Sequence, residues 1–300
     1  MPNPNFLSIG SIFIDDIVYP DGRTDMEILG GGGVHTAAGM AVWGERAGLV
    51  ASMGTGMPEP ARQRIEHDFD TRGLVRLEVP QIRAWQVFEW DGKRTELFRV
   101  KDIEPFMDAP RPGEIPDSYQ SATAVSVLRD AENFLAWRTI FPEATVFWEP
   151  EQMFMEPQNS RAFRSALPQA DIVSPNLLEA SLVYGFDEVS RLLDAMLDDG
   201  AKVVALRLGE MGSWVATPGN RVYVPIVPVD SVIDVTGAGN TYCGGFLVGW
   251  QRTHDPRIAG YYGAVAASFA LESVGVLMMP TPEERDRRYE LLKAMAESSG

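Results

Sequence analysis

Apolar runs of strand length alternate with segments of helical spacing through the second half of the chain. From about residue 121 onward, four runs predict buried strands: ATAVSVL, TVFWEP, ADIVSPN and AKVVALRLG. Helical patterns lie between them, as in LLEASLVYG and VSRLLDAMLDDG, and two more predicted strands, SWVATPG and NRVYVPIV, follow. This alternation predicts an α/β fold with a mainly parallel sheet and helices on both of its faces.

The two ends of the chain extend this pattern. Near the N-terminus, FLSIGSIFIDDIV predicts one buried strand that ends in acidic residues, GGGGVHTAAGMAVWGERAG predicts a loop followed by a helix, and LVASMG predicts the next strand. Three helical segments complete the chain: NTYCGGFLVGWQRT, DPRIAGYYGAVAASFALESVG and TPEERDRRYELLKAMAES. The last has Thr281 as its N-cap and Pro282 at its first position, as helix starts often do.

The segment AWQVFEWDGKRTELFRV predicts a β-hairpin. Two alternating runs flank Asp91-Gly92, a strong two-residue turn signal. Both faces of the hairpin carry aromatic residues, namely Trp85, Phe88, Trp90 and Phe98. We expect the hairpin to project from the main body, where it either covers a substrate or forms a homodimer contact.

Composition narrows the class of protein. The 300 residues include 26 basic and 42 acidic ones, and the net charge of −16 argues against nonspecific nucleic-acid binding. The most apolar stretch, YYGAVAASFALESVGVLMM, contains Glu272 and has no basic flanks, so it predicts a buried helix and no membrane span. The N-terminus lacks the pattern of a signal peptide, and the lone Cys243 excludes an intrachain disulfide. We expect a cytoplasmic protein whose Cys243 is a buried, unreactive thiol.

The segment DVTGAGN (residues 234–240) predicts an anion-binding loop. It follows an apolar strand and precedes an apolar helix. Gly237 and Gly239, with Ala238 between them, allow successive backbone N–H groups to point into one space at the positive end of a helix dipole. The alternative is a tight turn in which the glycines only relieve steric crowding.

Three other segments contain candidate binding residues. Glycines 30–33 precede a helix and allow a ligand to approach the backbone, and together with Asp15 they suggest a polyol pocket. In PNLLE, Asn176 and Glu179 share the first turn of a helix, which is also the pattern of ordinary capping. Gly209 and Gly212 form a Gly-x-x-Gly turn that, taken alone, predicts only a connection between strands.

Together the four segments resemble the ribokinase-like (PfkB) carbohydrate and nucleoside kinases. The resemblance covers about residues 5 to 275, and the motifs occur in the family's order. The glycine-rich stretch is similar to the first signature, Gly-Gly-x-x-x-Asn-x-Ala, and PNLLE matches the Asn-x-x-Glu motif. DVTGAGN is similar to the second signature, Asp-Thr-x-Gly-Ala-Gly-Asp.

The resemblance implies one ribokinase-like α/β domain over residues 1–300 with a small β lid that includes about residues 80–103. It implies ATP-dependent phosphoryl transfer to a hydroxyl of a sugar or nucleoside. The implied cofactors are ATP and Mg²⁺, and a monovalent cation is a possible third. The residues it implicates are Asp15, Gly31, Gly32 and His35 for the acceptor, Gly237, Ala238, Gly239 and position 240 for catalysis, Asn176, Glu179, Gly209, Gly212 and Asp234 for the nucleotide, and Glu179, indirectly, for Mg²⁺.

The chain departs from the family pattern where the catalytic base is expected. The family signature ends in Asp, whereas this chain has Asn240, as does a subgroup of uncharacterised family members that it resembles. An amide cannot accept the proton of the acceptor hydroxyl at neutral pH, and general-base catalysis contributes ~10²–10⁴-fold. The Asn of the first signature falls at His35, and Glu149-Pro-Glu stands where many members have Asp-Pro-Asn.

Three hypotheses remain open at this point. The first is a working phosphotransferase that is slow or uses another base, such as His35 or Asp234. The second is a pseudokinase that binds nucleotide or sugar as a sensor or a partner-binding protein. The third is a non-kinase structural or partner-binding protein that kept the fold. Intact Asn176, Glu179 and glycine loop argue against the third, because a structural relic needs none of them.

Overall fold

The computed structural model describes residues 3–90, 94–99 and 103–298. Its strands are β1 (Phe6–Ile9), β2 (Phe13–Val18), β3 (Thr24–Gly30), β4 (Gly48–Thr55), β5 (Leu74–Pro80), β6 (Arg83–Phe88), β7 (Arg94–Phe98), β8 (Ala124–Arg129), β9 (Thr145–Pro150), β10 (Ile172–Val173), β11 (Val204–Arg207), β12 (Ser213–Thr217) and β13 (Asn220–Val224). Its α-helices are α1 (Gly32–Val42), α2 (Glu59–Asp68), α3 (Glu104–Asp108), α4 (Ala131–Ile140), α5 (Ser160–Ala166), α6 (Leu177–Tyr184), α7 (Val189–Asp198), α8 (Ala238–Thr253), α9 (Pro256–Leu271) and α10 (Pro282–Ser298).

A large, mainly parallel sheet forms the body of the protein. Its strand order within the described residues is β13-β12-β11-β10-β9-β8-β1-β4-β5. The pairs from β11 to β5 are parallel, whereas β12 and β13 add to one edge in antiparallel fashion. The predicted strands from residue 121 onward all lie in this sheet, and the α/β prediction is confirmed.

Helices cover both faces of the large sheet because its strands are apolar on both sides. In β9, for example, Phe147 belongs to one buried cluster, whereas its neighbours Val146 and Trp148 belong to the other. The first cluster includes residues of α1, α8 and α9, and the second includes residues of α4 and α7. The stretch predicted as a buried helix is largely α9, and no helix in the described part of the chain is long and apolar enough to span a bilayer.

A second, smaller sheet has the order β3-β2-β6-β7. Strands β6 and β7 are the two arms of the predicted hairpin and pair in antiparallel fashion, while its Asp91-Gly92 turn lies outside the described residues. The predicted lid of about residues 80–103 therefore supplies half of this sheet. Strands β2 and β3 supply the other half, and the sequence patterns did not predict β3.

The single strand predicted for FLSIGSIFIDDIV is wrong, because this segment forms β1 in the large sheet and β2 in the small one. The chain leaves the large sheet at Gly10, where a Cβ would lie only 2.6 Å from Cα of Gly33. As a consequence, Asp15 lies inside β2 and not at the end of the first strand.

Helices α1 and α8 pack against each other at backbone contact. A Cβ at Gly244 in α8 would overlap the carbonyl oxygen of Thr36 in α1, and a Cβ at Gly39 would overlap that of Thr241. Only glycine permits this approach. The contact fixes the relative position of the two helix N-termini, each of which follows a glycine-rich segment.

Adding one methyl group at this contact should destabilise the fold. We expect Gly244→Ala to lower the free energy of unfolding by ~1–3 kcal/mol, because the helices must separate to admit the Cβ. Gly113→Ala is the matched control, since a Cβ there meets nothing within 4 Å; we expect it to change stability by less than ~0.5 kcal/mol. Urea denaturation measures both, and equal stability of the two variants would contradict the argument.

Candidate active site

A cavity of about 510 Å³ lies between the carboxyl ends of the central strands and the small sheet. Its walls include Ser11 just after β1, Arg129 at the end of β8 and Pro150 at the end of β9. Gln86 of β6 and Glu96 of β7 line it from the small sheet. Ligands of open α/β sheets bind at the carboxyl ends of the strands, so this cavity is the candidate active site.

The cavity brings together eight of the residues predicted from sequence, which are Asp15, Gly31, Gly32, His35, Asn176, Glu179, Gly237 and Asn240. Ala238 and Gly239 continue from Gly237 as the first residues of α8. Gly209 and Gly212 lie in the turn between β11 and β12 and do not line the cavity, and neither does Asp234. The functional roles assigned to these residues stay predictions.

The N-terminus of α8 has the backbone geometry of an anion site. Gly237 precedes the helix in the left-handed conformation, with φ of 74°, and no side chain caps the first turn. A Cβ at Gly237 would overlap the ring of His35, so both the backbone conformation and the close packing require glycine. The N–H of Ala238 donates to the carbonyl oxygen of Val235 at 3.3 Å. The other N–H groups of this turn and the helix dipole together favour a negatively charged ligand at this end of the cavity.

Asp234 maintains the conformation of this loop. Its Oδ1 accepts a hydrogen bond of 2.8 Å from the backbone N–H of Thr236, and the residue is buried. A carboxylate that is engaged in this way and lies outside the cavity lining is poorly placed to accept a proton from a substrate hydroxyl. The structure thus gives Asp234 a contact that orients the glycine loop.

The side chain of Asn240 lies close to both glycine-rich segments. A Cβ built on Gly32, the first residue of α1, would lie 3.2 Å from Nδ2 of Asn240. The side chain at the position of the family's base therefore borders both the glycines predicted to hold the acceptor and the loop predicted to hold the transferred phosphoryl group.

His35 is buried beneath the loop that precedes α8. Its exposed fraction is 1%, and neither ring nitrogen has a hydrogen-bond partner among the described residues. Burial lowers the pKa of His35 to about 4, although nearby Asp234 opposes the shift. The imidazole is therefore neutral at pH 7.

Asn176 and Glu179 form a capping box at the start of α6. Oδ1 of Asn176 accepts the backbone N–H of Glu179 at 2.8 Å, and Oε2 of Glu179 accepts that of Asn176 at 2.8 Å. The ordinary capping interpretation is thus confirmed. Both residues also line the cavity, so capping and ligand contact are compatible here.

Arg207, at the end of β11, was not predicted from the sequence as a site residue. Its guanidinium lies against Gly239, pairs with Glu149 at 2.8 Å and approaches Glu179 at 3.7 Å. It also donates to the carbonyl oxygen of Ser174 at 2.9 Å. The sequence signal that could have identified it is a basic residue at the end of an apolar strand, directly before a Leu-Gly turn.

A pair of carboxylates near Arg207 could hold a metal ion together with a nucleotide. Oε2 of the buried Glu149 has no hydrogen-bond partner among the described residues, and burial raises the pKa of the neighbouring Glu179. No group of three or more His, Cys, Asp or Glu side chains in the described chain is arranged to bind a metal. The residues fit Mg²⁺, which takes one or two carboxylates and completes its shell with waters and substrate phosphates.

The adjacent acids of β2 point in opposite directions. Asp15 faces the cavity, where Nε2 of Gln86 donates to its Oδ1 at 2.9 Å. Asp16 faces away and pairs with Arg83 and Arg99, which hold its pKa below the usual range although burial opposes this. Strand alternation separates the ligand-facing carboxylate from the structural one.

Glu151 and Arg129 also line the cavity. Burial raises the pKa of Glu151 to about 6 against the opposing charge of Arg129, and 3.8 Å separates Nη1 of Arg129 from Oε1 of Glu151.

The burial of Cys243 raises the pKa of its thiol well above the usual value. Cys243 is therefore protonated at neutral pH, in agreement with the prediction of a buried thiol.

Comparisons with known proteins identify the family. Residues 5–283 match the family described as pfkB family carbohydrate kinase. A cytidine kinase from Thermococcus kodakarensis is 28% identical over 249 residues, covering 81% of this chain and 87% of the relative. The crystal structure of Methanocaldococcus jannaschii nucleoside kinase, an archaeal member of the ribokinase family, superposes with a TM-score of 0.77 at 21% identity, covering 97% of this chain and 100% of that one.

A structure of a putative ribokinase II from E. coli in complex with ATP and Mg²⁺ superposes with a TM-score of 0.80 at 18% identity, over 96% of this chain and 99% of that one. The chain belongs to the PfkB family of carbohydrate kinases, and its fold is ribokinase-like. Membership of a subgroup that carries Asn in place of the catalytic Asp stays a prediction.

The buried neutral His35 should make stability depend on pH. Its pKa is about 4 in the folded state, against 6.5 for an unperturbed histidine, so the unfolded state binds more protons between these values. Stability is therefore highest above pH 6.5 and falls as the pH decreases toward 4, by up to ~3 kcal/mol from this group.

Urea denaturation between pH 6.5 and 4 measures this dependence. We expect His35→Gln to lose much less stability over this range than the wild type. The exposed His67 provides the control, and we expect His67→Gln to keep the wild-type slope. If His35→Gln kept the wild-type slope too, His35 would not be a buried neutral group.

Proposed function

We propose that the protein is a kinase that transfers the γ-phosphoryl group of ATP to a hydroxyl of a sugar or nucleoside. The observation that supports this proposal is the proximity of Asn240 to Gly32, because the segment proposed to bind the acceptor and the loop proposed to bind the phosphoryl group then border one cavity. Membership of the PfkB family supports the reaction type. Similarity to a cytidine kinase favours a nucleoside as the acceptor.

In this proposal each end of the cavity has a separate task. Asp15 and the backbone near Gly31 and Gly32 bind and orient acceptor hydroxyls. The N–H groups of residues 237–239 stabilise the charge on the transferring phosphoryl group. A hydroxyl oxygen of the acceptor forms a bond to the γ-phosphorus, the bond from that phosphorus to the β,γ-bridging oxygen breaks, and ADP leaves.

Mg²⁺ would be held beside the nucleotide by Glu179 and Glu149. When bound, it neutralises phosphate charge and helps to orient the γ-phosphoryl group. Arg207 pairs with both carboxylates and so holds them in place at the edge of the α8 N-terminus. Gly209 and Gly212 would border the nucleotide from outside the cavity lining, and Asp234 would act through the loop that it stabilises.

We expect the reaction to be slow, because the cavity has no carboxylate at the position of the family's base. Asn240 cannot take the hydroxyl proton, and Asp234 is engaged with Thr236. Burial lowers the pKa of His35 to about 4, so its ring is a weak base. The proton therefore leaves with the phosphorylated product or passes to solvent. Positioning and electrostatic stabilisation supply most of the catalysis of phosphoryl transfer, so turnover continues at a reduced rate.

Asn240 also favours a second candidate function, a pseudokinase that binds nucleotide or sugar without turnover. Exposed Leu97 of β7 and exposed Trp90, just beyond β6, are suited to a contact with a partner or with a second copy of the chain. The two functions predict the same ligands and differ only in whether a phosphorylated product appears.

Nucleotide binding is the first test of the proposal. We expect ATP with Mg²⁺ to raise the melting temperature, because a ligand that binds only the folded state stabilises it. At an ATP concentration of a hundred times the Kd, the free energy of unfolding should increase by ~2.7 kcal/mol. Without Mg²⁺ the shift should be smaller, because the buried carboxylates then face the phosphates directly. Calorimetry at millimolar ATP provides the second readout. Absence of binding by both methods would rule out the kinase and a pseudokinase that senses nucleotide.

Restoring the carboxylate at position 240 tests the role of the base. Asn and Asp have nearly the same shape, so we expect Asn240→Asp to leave ATP affinity almost unchanged and to raise turnover by up to ~10²–10⁴. ADP release across a panel of sugars and nucleosides measures the rate. A wild type that already turns over at ~1–100 per second and is not improved by the substitution would contradict this account. No product from either protein would favour the pseudokinase.

A further inference from the structure

We propose that Met153 and Phe98 enclose a flat, apolar group of the acceptor, so that the acceptor is a nucleoside whose base lies between these two side chains. Met153 would then be a specificity-determining residue of the acceptor site. This inference rests on the proposed function for the identity of the cavity, and it does not depend on the rate of turnover.

Met153 borders the cavity from the body of the protein. It lies in the 3₁₀ turn Gln152–Phe154, directly after β9, and it lines the cavity. Its exposed fraction is 72%. A long apolar side chain in this position leaves hydrophobic surface in water, and a ligand that covers this surface gains binding free energy.

The turn that carries Met153 is anchored on both sides. Phe154 packs on Trp148 with ring centroids 6.3 Å apart, and Met155 is fully buried. Nδ2 of Asn159 donates to the carbonyl oxygen of Phe154 at 2.7 Å. The neighbouring residues therefore hold the backbone in place, and the fold itself keeps the side chain of Met153 outside the core.

Phe98 of β7 brings a second apolar surface to the same cavity from the small sheet. Its exposed fraction is 39%, and its ring meets that of Phe13 edge to face with centroids 6.1 Å apart. Phe13, Ile82 and Phe106 line the cavity as well. Two parts of the fold that are distant in sequence thus expose apolar side chains to one space.

A nucleobase matches two such surfaces. Its faces carry no hydrogen-bonding groups, so they lose little on leaving water, and they stack well on an aromatic ring such as that of Phe98. The polarizable thioether of a methionine also makes favourable contacts with aromatic rings. Met153 on one face of the base and Phe98 on the other would complement it fully.

A free sugar fits these surfaces poorly. Hydroxyl groups surround its ring, and each one that is pressed against Met153 or Phe98 loses a hydrogen bond to water without a replacement. The polar part of the acceptor has its proposed partners elsewhere in the cavity, at Asp15 and the backbone of Gly31 and Gly32. A nucleoside satisfies both requirements, since its ribose is polar and its base is flat.

Calorimetric titrations with four nucleosides (cytidine, uridine, adenosine and guanosine) and with methyl β-D-ribofuranoside test the inference. The riboside has the sugar of the nucleosides but no base, so the difference in affinity measures the contribution of the base. A non-hydrolysable ATP analogue with Mg²⁺ fills the nucleotide site and prevents a nucleoside from binding there. In the wild type we expect the tightest-binding nucleoside to bind at least ~30-fold more tightly than the riboside.

Substitutions of the two side chains test their roles. Met153→Ser should weaken that nucleoside by ~10-fold and change the affinity for the riboside by less than about twofold, because only a contact with the base is lost. Met153→Leu keeps the apolar volume and should remain within about threefold of the wild type. Phe98→Ala should also weaken the nucleoside by ~10-fold.

Met278→Ser is the matched control. Met278 is 73% exposed, against 72% for Met153, and it lies outside the described cavity lining. We expect this variant to retain the wild-type affinities for every probe. Because both methionines are exposed, both serine variants should fold with melting temperatures close to that of the wild type.

Three results would overturn the inference: no nucleoside that binds more tightly than the riboside, equal weakening of nucleoside and riboside by Met153→Ser, or a Met153→Ser variant that keeps the wild-type affinity for the nucleoside. Binding of the ATP analogue, measured first, separates this inference from the proposed function. If the analogue binds and the preference for a nucleoside is absent, only the acceptor class is wrong. If the analogue does not bind, the kinase proposal fails, and titrations without it still test nucleoside recognition.

Discussion

The backbone contact between α1 and α8 is the constraint on which the rest of the site depends. Gly39 and Gly244 allow each helix to approach a carbonyl oxygen of the other. Because both helices begin directly after glycine-rich segments, the same contact sets Gly32 beside Asn240 and the ring of His35 beneath Gly237. The acceptor segment and the anion loop are thus held at a fixed separation by the packed core, and neither relies on a ligand to assemble it.

Charge divides the cavity into two chemically different ends. One end has the uncapped N-terminus of α8, with Arg207 held against it by buried carboxylates, and it suits phosphates that arrive with a cation. The other has Asp15, which accepts a hydrogen bond from Nε2 of Gln86, and it is the end that we propose binds the acceptor hydroxyls. Because side chains alternate along β2, Asp15 faces the cavity, whereas its neighbour Asp16 forms ion pairs with Arg83 and Arg99 on the opposite face.

Sequence patterns could predict the parallel body and the two glycine-rich segments, because hydrophobic periodicity and turn residues are local signals. They could not predict that the first apolar run divides at Gly10, since both halves are apolar and only the close approach of Gly33 reveals the break. They also missed β3, because polar residues occupy three of the first four positions of its TDMEILG segment. Gln86 acquires its role from its hydrogen bond to Asp15 on another strand, so nothing in its own segment singled it out. Arg207 left only a weak local signal, a basic residue at the end of an apolar strand, and its role depends on Glu149 and Glu179 on other elements.

The central claim is that this cavity holds a nucleotide phosphate and an acceptor hydroxyl in line, with Asn240 between the two binding ends. A crystal structure with a non-hydrolysable ATP analogue, Mg²⁺ and an uncharged acceptor measures this directly. The account predicts a γ-phosphorus at the N–H groups of residues 237–239 and an acceptor hydroxyl oxygen ~3–3.5 Å from it, beside Asn240. Phosphates bound away from the α8 N-terminus, or a hydroxyl directed away from the Gly237 loop, would contradict it.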